Sequence, residues 1–293
     1  MSEIQRPVVE RTAAELGARY VFPDLGKQAG DAVLFASGTG GYDSLDGESL
    51  ARRLTEDLQA ITHDLHLRVY YHPEGIPSAD ASASTLSLAD PGIEKVEVLD
   101  GNIGHLKLAR FPPEEEFAPE ANAAMRTIAE TKTVIVDLRE CKGGAPSSVA
   151  YMCSFFFDPD RPVHLNTLHW RDKPSAEFRT KAVPLHHGGP LYVLTSSKTF
   201  SGAEEFANNM KALGRGILVG ETTRGGAHPG RRFPLDAKFE IFIPVGRAEN
   251  PITKSNWEGT GVLPDILVAA DDALEAALAD IEATVTPSIR RLP

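Results

Sequence analysis

The segment Leu191-Tyr-Val-Leu-Thr-Ser-Ser-Lys-Thr-Phe-Ser201-Gly-Ala-Glu-Glu-Phe-Ala207 joins a short apolar strand to the start of a helix. Its first four residues are the apolar run of a buried strand, and apolar side chains then recur at helical spacing from Ala203 to Leu213. Gly214 follows and predicts the end of the helix. A buried strand that leads directly into a helix is typical of an α/β fold, so this segment indicates the fold class.

Ser201 stands at the junction of the predicted strand and helix, where two roles are open to it. Its hydroxyl can act as a nucleophile, because the amide of Gly202 and the positive end of the helix dipole would stabilise an oxyanion formed beside it. The sequence Ser201-Gly-Ala-Glu204 is also a capping box, in which the serine and the glutamate satisfy amides of the first turn. This segment alone favours the capping role, since most serines before helices do only that.

Composition narrows the class of protein. The chain has 293 residues, enough for two domains, and a formal net charge of -11 without a basic block, which argues against a nucleic-acid partner. Its two cysteines are too few for a disulfide framework. No apolar signal core and no stretch of membrane-spanning length is visible, so we expect a soluble, cytoplasmic protein. The oligomeric state is left open, and no cofactor is expected.

Hydrophobic periodicity predicts two domains and a connecting segment. Residues 1–72 are predicted to form a helical N-terminal domain, residues 73–90 a linker or a loop over a cleft, and residues 91–293 an α/β domain. Strands that alternate with helices in the last of these favour a largely parallel sheet. The predicted helices are 8–16, 25–36, 46–63, 119–131, 147–155 and 202–213, and the predicted strands are 67–71, 96–99, 103–108, 133–138, 191–194, 216–221 and 239–244.

A glycine turn follows the predicted strand 133–138, in the sequence Arg139-Glu-Cys-Lys-Gly143-Gly144-Ala-Pro-Ser. Adjacent glycines let the backbone turn its amides toward a ligand, as the second half of an oxyanion hole requires, although many such pairs are only turns. The neighbouring Cys141 has no activating histidine near it in sequence, so we expect it to be a small buried residue.

Several segments together resemble the tail-specific, C-terminal processing family of serine peptidases, which includes the tricorn core and the repeats of interphotoreceptor retinoid-binding protein. The resemblance runs from near residue 18 to near residue 268. It rests on Ala18-Arg-Tyr-Val-Phe-Pro-Asp, Thr55-Glu-Asp-Leu-Gln-Ala-Ile-Thr-His63-Asp-Leu-His-Leu-Arg-Val, Val134-Ile-Val-Asp-Leu-Arg, the Ser201 segment, Val219-Gly-Glu-Thr-Thr-Arg-Gly-Gly-Ala-His-Pro-Gly230 and Gly261-Val-Leu-Pro-Asp265. It implies an α/β fold with a β-β-α spiral core similar to the crotonase and Clp protease folds, after a small helical N-terminal domain.

The resemblance also implies roles for single residues. Ser201 takes the position of the nucleophile, Gly202 donates one oxyanion amide, and Gly143 or Gly144 donates the other. The sequence departs from the members of the family that use a lysine base, because Gly225 and its neighbouring glycine stand where they have that lysine. Two other lysines lie near in sequence, Lys198 and Lys211, and neither is well placed to replace it.

The histidine-using arrangement of the tricorn branch fits the sequence better. There a histidine at a helix end, next to a hydroxyl residue, activates the serine, and Thr62-His63 matches that pair. A side chain that titrates near neutrality can take the serine proton and return it to the leaving amine. The resemblance implies Glu258 as the third member. Asp64 is an alternative partner, although adjacent helical residues point about a hundred degrees apart.

Three functions therefore remain as hypotheses: a serine peptidase acting on a peptide or protein substrate, a non-catalytic module that binds an apolar small molecule between the domains, and a hydrolase of small esters or acyl thioesters. His228, in a predicted loop, would contact substrate or only its own loop. His63, His66 and His72 have no recognised ligand spacing, so we expect no metal.

Overall fold

The computed structural model describes residues 5–76 and 91–285. Its chain divides into two compact units that interleave along the sequence. The first unit comprises residues 1–90, 166–177 and 226–259, and the second comprises residues 91–165, 178–225 and 260–293. Two segments of the predicted α/β domain thus belong to the first unit, while most of the predicted linker, residues 77–90, lies outside the described residues.

Three helices open the first unit: α1 (Gln5–Arg19), α2 (Pro23–Gly38) and α3 (Gly47–Thr62). Local signals fix their starts, since Pro23 occupies the first turn of α2 and the Asp46 side chain accepts a hydrogen bond from the amide of Ser49 at 2.7 Å. Leu50, Leu54 and Leu58 lie on one face of α3 and are fully buried. They belong to a core to which the sheet of this unit also contributes, with fully buried members Leu16, Tyr20, Val33, Leu50, Leu54, Leu58, Ile241 and Ile243.

The sheet of the first unit has the order β1-β10-β9 and is antiparallel, with β1 (Arg68–Tyr71), β9 (Gly230–Pro234) and β10 (Phe239–Pro244). A smaller sheet has the order β11-β5-β6 and consists of β5 (His164–Trp170), β6 (Ala176–Arg179) and β11 (Gly246–Glu249). These two sheets join residues far apart in sequence, and for this reason the first unit needs its two later segments.

The second unit is built on a six-stranded sheet of order β12-β8-β7-β4-β3-β2. Its strands are β2 (Ile93–Leu99), β3 (Ile103–Leu108), β4 (Thr133–Asp137), β7 (Leu191–Thr195), β8 (Ile217–Gly220) and β12 (Ile266–Leu267). All neighbours are parallel except the antiparallel pair β2 and β3. The residues of β4 and β7 are buried throughout, as expected of central parallel strands.

Four helices accompany this sheet: α4 (Glu114–Ile128), α5 (Pro146–Ser154), α6 (Gly202–Ala212) and α7 (Ala273–Val285). Helix α7 places Ala273, Ala277 and Ile281 in a core cluster with Ile135, Leu194 and Val219 of the sheet. Because β4 and β7 are adjacent and parallel, their carboxyl ends lie at the same edge. The turns that follow them carry Gly143 and Ser201, so the sheet positions both parts of the candidate site.

The predicted α/β class with a helical N-terminal region is confirmed. One helix start was wrong: Pro119 lies inside α4, which begins at Glu114 in a turn of three glutamates that suits the positive end of the helix dipole. The sequence also missed α7 and the strands β5, β6, β9, β11 and β12, several of which are short and rich in polar residues. Within residues 5–76 and 91–285, every helix is too short or too polar to cross a bilayer.

Candidate active site

The candidate residues fall into two groups, one in each unit. In the second unit, Ser201 connects β7 to α6 in a conformation with φ 56° and ψ -122°. Residues other than glycine rarely adopt a positive φ, and Ser201 is one that does. Such backbone strain is typical of turns at functional sites. The residue is half-buried, so its side chain keeps some access to solvent. The turn has thus the backbone strain and the exposure expected of a nucleophile.

Glu204 holds this turn from within the protein. Its side chain is fully buried and accepts hydrogen bonds from the amide of Ser201 at 2.8 Å, the hydroxyl of Thr223 at 2.6 Å and the amide of Gly225 at 2.6 Å. Both halves of the predicted capping box are therefore formed, because the Ser201 side chain also faces the backbone amide of Glu204. In such a contact the serine oxygen is the acceptor, so its O–H can still donate to a base.

The glycine turn after β4 lies against the serine turn. Gly143 and Gly144 have φ of 85° and 145°, and a Cβ on Gly143 would stand 2.4 Å from the Gly202 nitrogen and 2.9 Å from the Ser201 Cβ. A Cβ on Gly202 would in turn stand 3.0 Å from the Gly144 nitrogen. Only glycines allow this approach, which brings the two predicted oxyanion donors together beside Ser201.

The hydrogen bonds of this turn distinguish its two glycines. The amide of Phe111 donates a hydrogen bond to the Gly143 carbonyl, and the carbonyl of Phe111 accepts one from the Ala145 amide. The Gly144 amide lies between these two hydrogen-bonded groups in the chain. Within the described parts of the chain, the amides of Gly144 and Gly202 donate to no protein acceptor. Two adjacent amides without an internal acceptor can bind an oxyanion.

The environment of Cys141 also favours Gly144 over Gly143 as the second donor. Burial raises the pKa of the Cys141 thiol to about 12, and the amide of Gly143 opposes this shift by hydrogen bonding to the sulfur. Gly143 therefore has a partner of its own, while Cys141 is a neutral buried residue, as the sequence predicts.

Nearby lysines have other partners. Lys198 pairs with Glu140 at 2.9 Å, and Lys211 pairs with Asp265 at 2.9 Å. The segment after β8, where the lysine-using members carry their base, supplies the Thr223 hydroxyl and the Gly225 amide to Glu204 instead. This segment braces the turn and offers no base.

The second group lies in the first unit, around the end of α3. His63 follows the helix in the left-handed conformation, with φ 54°, and its side chain is exposed. The hydroxyl of its neighbour Thr62 donates to the Leu58 carbonyl at 2.9 Å. In the described parts of the chain, no carboxylate hydrogen bonds to the imidazole of His63. The sequence-predicted base therefore stands apart from the acidic residues proposed to orient it.

Asp64 is the centre of a buried polar cluster in this unit. Its carboxylate is fully buried and accepts hydrogen bonds from the Tyr20 hydroxyl at 3.1 Å, the His66 amide at 3.0 Å and Nδ1 of His228 at 2.8 Å. A carboxylate can only accept here, so Nδ1 of His228 carries the proton. His228 is thus a buried partner of Asp64, packed edge to face on Phe22.

Glu258 joins the same cluster from a distant part of the sequence. Its carboxylate accepts the amide of Ala227 at 2.5 Å and lies 3.4 Å from Nδ1 of His228. One ligand-type atom each of Asp64, His66 and Glu258 lies within 4.8 Å of the others. The ring of His66 stacks on Phe242 with 6.0 Å between centroids. The sequence analysis considered His66 but did not place it beside Asp64, although the amide two residues after an aspartate is one that its side chain commonly accepts.

Comparison with known proteins places these observations in a family. The sequence model of peptidase family S41 matches residues 102–268. The chain is similar over its whole length to a peptidase candidate from Parabacteroides merdae, which it covers completely, with 16% identity and a TM-score of 0.71. It is similar over 97% of its length to 98% of a lipoprotein from Streptococcus agalactiae, with 13% identity and a TM-score of 0.65. A photosystem II D1 C-terminal processing protease matches 92% of the chain over 94% of its own length, with 14% identity and a TM-score of 0.56.

Proposed function

Because the chain belongs to peptidase family S41, we propose that it is a serine peptidase that cleaves peptides or proteins through an acyl-enzyme on Ser201. The observation that carries this proposal is the strained Ser201 turn in contact with two glycine amides. A helix cap needs neither the strain nor the second turn. A nucleophile that must generate and stabilise an oxyanion needs both.

In the proposed reaction, Oγ of Ser201 attacks the carbonyl carbon of the scissile bond while a histidine takes the hydroxyl proton. The negative charge on the carbonyl oxygen is accepted by the amides of Gly202 and Gly144. The histidine then returns the proton to the leaving amine, and water hydrolyses the acyl-enzyme by the same route. Each removed oxyanion donor would cost roughly a hundredfold or more in rate.

The base is proposed to come from the first unit. The sequence suggests His63 with Glu258, whereas within that unit it is His66 that lies near two carboxylates, and a nearby carboxylate can orient a histidine base. His66 has atoms of Asp64 and Glu258 within 4.8 Å, and His63 has no carboxylate partner in the described residues. We therefore assign the base to His66 and keep His63 as the alternative to be tested beside it.

A fluorophosphonate probe, which reacts only with an activated serine, tests the nucleophile. The purified chain should be labelled at Ser201, and Ser201→Ala should abolish labelling. Ser197→Ala is the matched control, since that serine lies in the same segment and should leave labelling unchanged. Absence of labelling in the folded wild-type chain contradicts the proposal and favours the non-catalytic binding module.

The same probe separates the two histidines. If His66 is the base, His66→Ala should slow labelling by roughly a hundredfold or more, while His63→Ala keeps the wild-type rate. The reverse result would return the role to His63. Cleavage of a peptide library by the wild-type chain, and its absence with Ser201→Ala, would then distinguish a peptidase from a hydrolase of small esters.

A further inference from the structure

We propose that the first unit binds a divalent transition-metal ion of the Zn²⁺ class through Asp64, His66 and Glu258. The three side chains come from two distant parts of the sequence, and one ligand-type atom of each lies within 4.8 Å of the others. Asp64 is fully buried, and the other two are half-buried. The group is therefore enclosed by protein on one side and reachable from solvent on the other.

The donor set fits such an ion. Imidazole nitrogen and carboxylate oxygen are both ligand types that zinc binds in proteins, at distances of about 2.0–2.2 Å. In a tetrahedral site with those distances, the ligand atoms are about 3.3–3.6 Å apart. Side-chain rotations that bring the three ligand atoms about one ångström closer together would therefore allow all three to bind the ion. The fourth position would be left to water, as in zinc sites that remain open.

The charge of the cluster also favours a cation. An oxygen of Asp64 lies within 4.8 Å of an oxygen of Glu258. The donors to Asp64 are a hydroxyl, an amide and an imidazole, none with a permanent positive charge. Buried carboxylates need compensation from protons, cationic side chains or metal ions. A dication bound between them would neutralise both.

Two further side chains orient Asp64. Tyr20 and His228 each donate a hydrogen bond to its Oδ2. Among the hydrogen bonds of the described residues, Oδ1 accepts only the His66 amide. Such outer contacts orient metal-binding carboxylates and raise affinity. They also leave Oδ1 the more accessible of the two oxygens for an ion.

A consequence follows for activity, and it rests on the proposed function. If His66 is the base, an ion on its imidazole occupies the lone pair that would accept the serine proton. Zn²⁺ would then inhibit the peptidase reversibly, and a chelator would restore it. Metal binding itself does not depend on this assignment.

Equilibrium dialysis tests binding directly. The full, tag-free chain is stripped with a chelator, checked for folding by circular dichroism and dialysed against Zn²⁺, with bound metal measured by atomic emission. We expect one ion per chain, and affinity lowered at least about tenfold in His66→Gln and in Glu258→Gln. His63→Gln, an exposed histidine three residues away, is the matched control and should bind as wild type. No stoichiometric binding, or equal loss in His63→Gln, overturns the proposal.

Fluorophosphonate labelling with and without Zn²⁺ tests the consequence separately. Slower labelling of wild-type chain that a chelator reverses supports an ion on the base. Binding by dialysis without any effect on labelling keeps the metal site and removes His66 as the base. A chain that binds Zn²⁺ but is never labelled refutes the serine peptidase while supporting the site.

Discussion

Glu204 and Asp64 are two fully buried carboxylates, one in each unit, and each accepts three hydrogen bonds. The donors to Glu204 are two amides and a hydroxyl that belong to one continuous turn region. Asp64 instead receives an imidazole among its donors and has a second carboxylate, Glu258, in the same cluster. The same chemical group is thus surrounded by amides and a hydroxyl in one unit, and by an imidazole and a second carboxylate in the other.

The contrast separates two uses of a buried charge. Around Glu204 every donor is fixed by the backbone or by a threonine, so the carboxylate acts as a brace that holds the Ser201 amide in place. Around Asp64 an imidazole and a second carboxylate lie close together, which is the donor set of the proposed ion site. We therefore expect changes near Glu204 to act mainly on stability and turn geometry, and changes near Asp64 to act mainly on ion binding.

The largest effect is expected from Gly144→Ala, which changes the glycine turn that packs against the Ser201 turn. A Cβ at this position would stand 1.9 Å from the Phe111 carbonyl oxygen, and its φ of 145° is one that alanine does not adopt without strain. We expect a loss of about 3 kcal/mol or more in the free energy of unfolding, measured in urea, and loss of Ser201 labelling.

Gly214→Ala is the matched control for that clash. Gly214 also has positive φ, 61°, but nothing lies within 4 Å of its Cβ position. Backbone strain alone should cost about 1 kcal/mol and leave labelling intact. Equal destabilisation by the two variants would show that strain, and not contact between the turns, makes Gly144 necessary.

Glu204→Gln should have the next largest effect. The amide group of glutamine would direct its own N–H at one of three groups that are themselves donors, and leave a buried donor unsatisfied. We expect a loss of about 2–4 kcal/mol and slower labelling of Ser201. Glu221→Gln removes charge from a half-buried carboxylate that accepts the Ser197 amide at 2.9 Å, and should cost less than about 1 kcal/mol. Similar losses in both variants would contradict the bracing role.

The two turns beside Ser201 could be predicted from the sequence, whereas the cluster around Asp64 could not. The Ser201 turn and the Gly143-Gly144 turn each follow an apolar strand directly, so local pattern indicated both, and parallel pairing of β4 with β7 brings them to one edge. The cluster of Asp64, His66, His228 and Glu258 is assembled from three distant segments. No periodicity of the sequence relates those segments.

The sequence also did not predict several strands of the first unit, because these strands are short and polar. Strands β9 and β11 read Gly-Arg-Arg-Phe-Pro and Gly-Arg-Ala-Glu, with little of the apolar alternation that marks a strand. Only pairing with partners such as β10 makes them strands. The sequence therefore predicted the fold class and the two neighbouring turns, but it assigned residues 91–293 to one domain, although two segments of that range belong to the first unit.

A smaller effect should come from a second titratable cluster, which lies in the second unit. Burial lowers the pKa of His105, but Asp137 and Glu97, the latter 3.0 Å away, outweigh it and raise the pKa above its ordinary value of 6.5. Because the folded pKa is the higher one, protonation stabilises the fold. That contribution is complete below pH 6.5 and is lost as the pH rises through the raised pKa.

His105→Gln should abolish this dependence. The free energy of unfolding of the wild-type chain should fall with pH from about 6.5 upward, and that of the variant should fall less steeply over the same interval. Urea unfolding at several pH values measures both slopes. Parallel curves would mean that the imidazole gains no stabilising charge on folding.

The smallest effect is expected from Tyr20→Phe, which removes one donor from Asp64. Burial and the adjacent carboxylate hold the pKa of Tyr20 well above its ordinary value, so the hydroxyl stays protonated and donates at 3.1 Å. His228 and the His66 amide still serve Asp64 in the variant, and the loss should be about 1 kcal/mol.

Tyr192→Phe is the matched comparison, because its hydroxyl donates to the half-buried Asp280 at 2.7 Å. Water can replace that donor at the half-buried Asp280 more readily than at the fully buried Asp64, so Tyr192→Phe should cost less than Tyr20→Phe. The Tyr20 variant should also bind Zn²⁺ more weakly, since Asp64 loses an orienting contact, while the Tyr192 variant should not. Equal stability losses with unchanged Zn²⁺ affinity in both would mean that Asp64 is only a structural acceptor, no different in kind from Glu204.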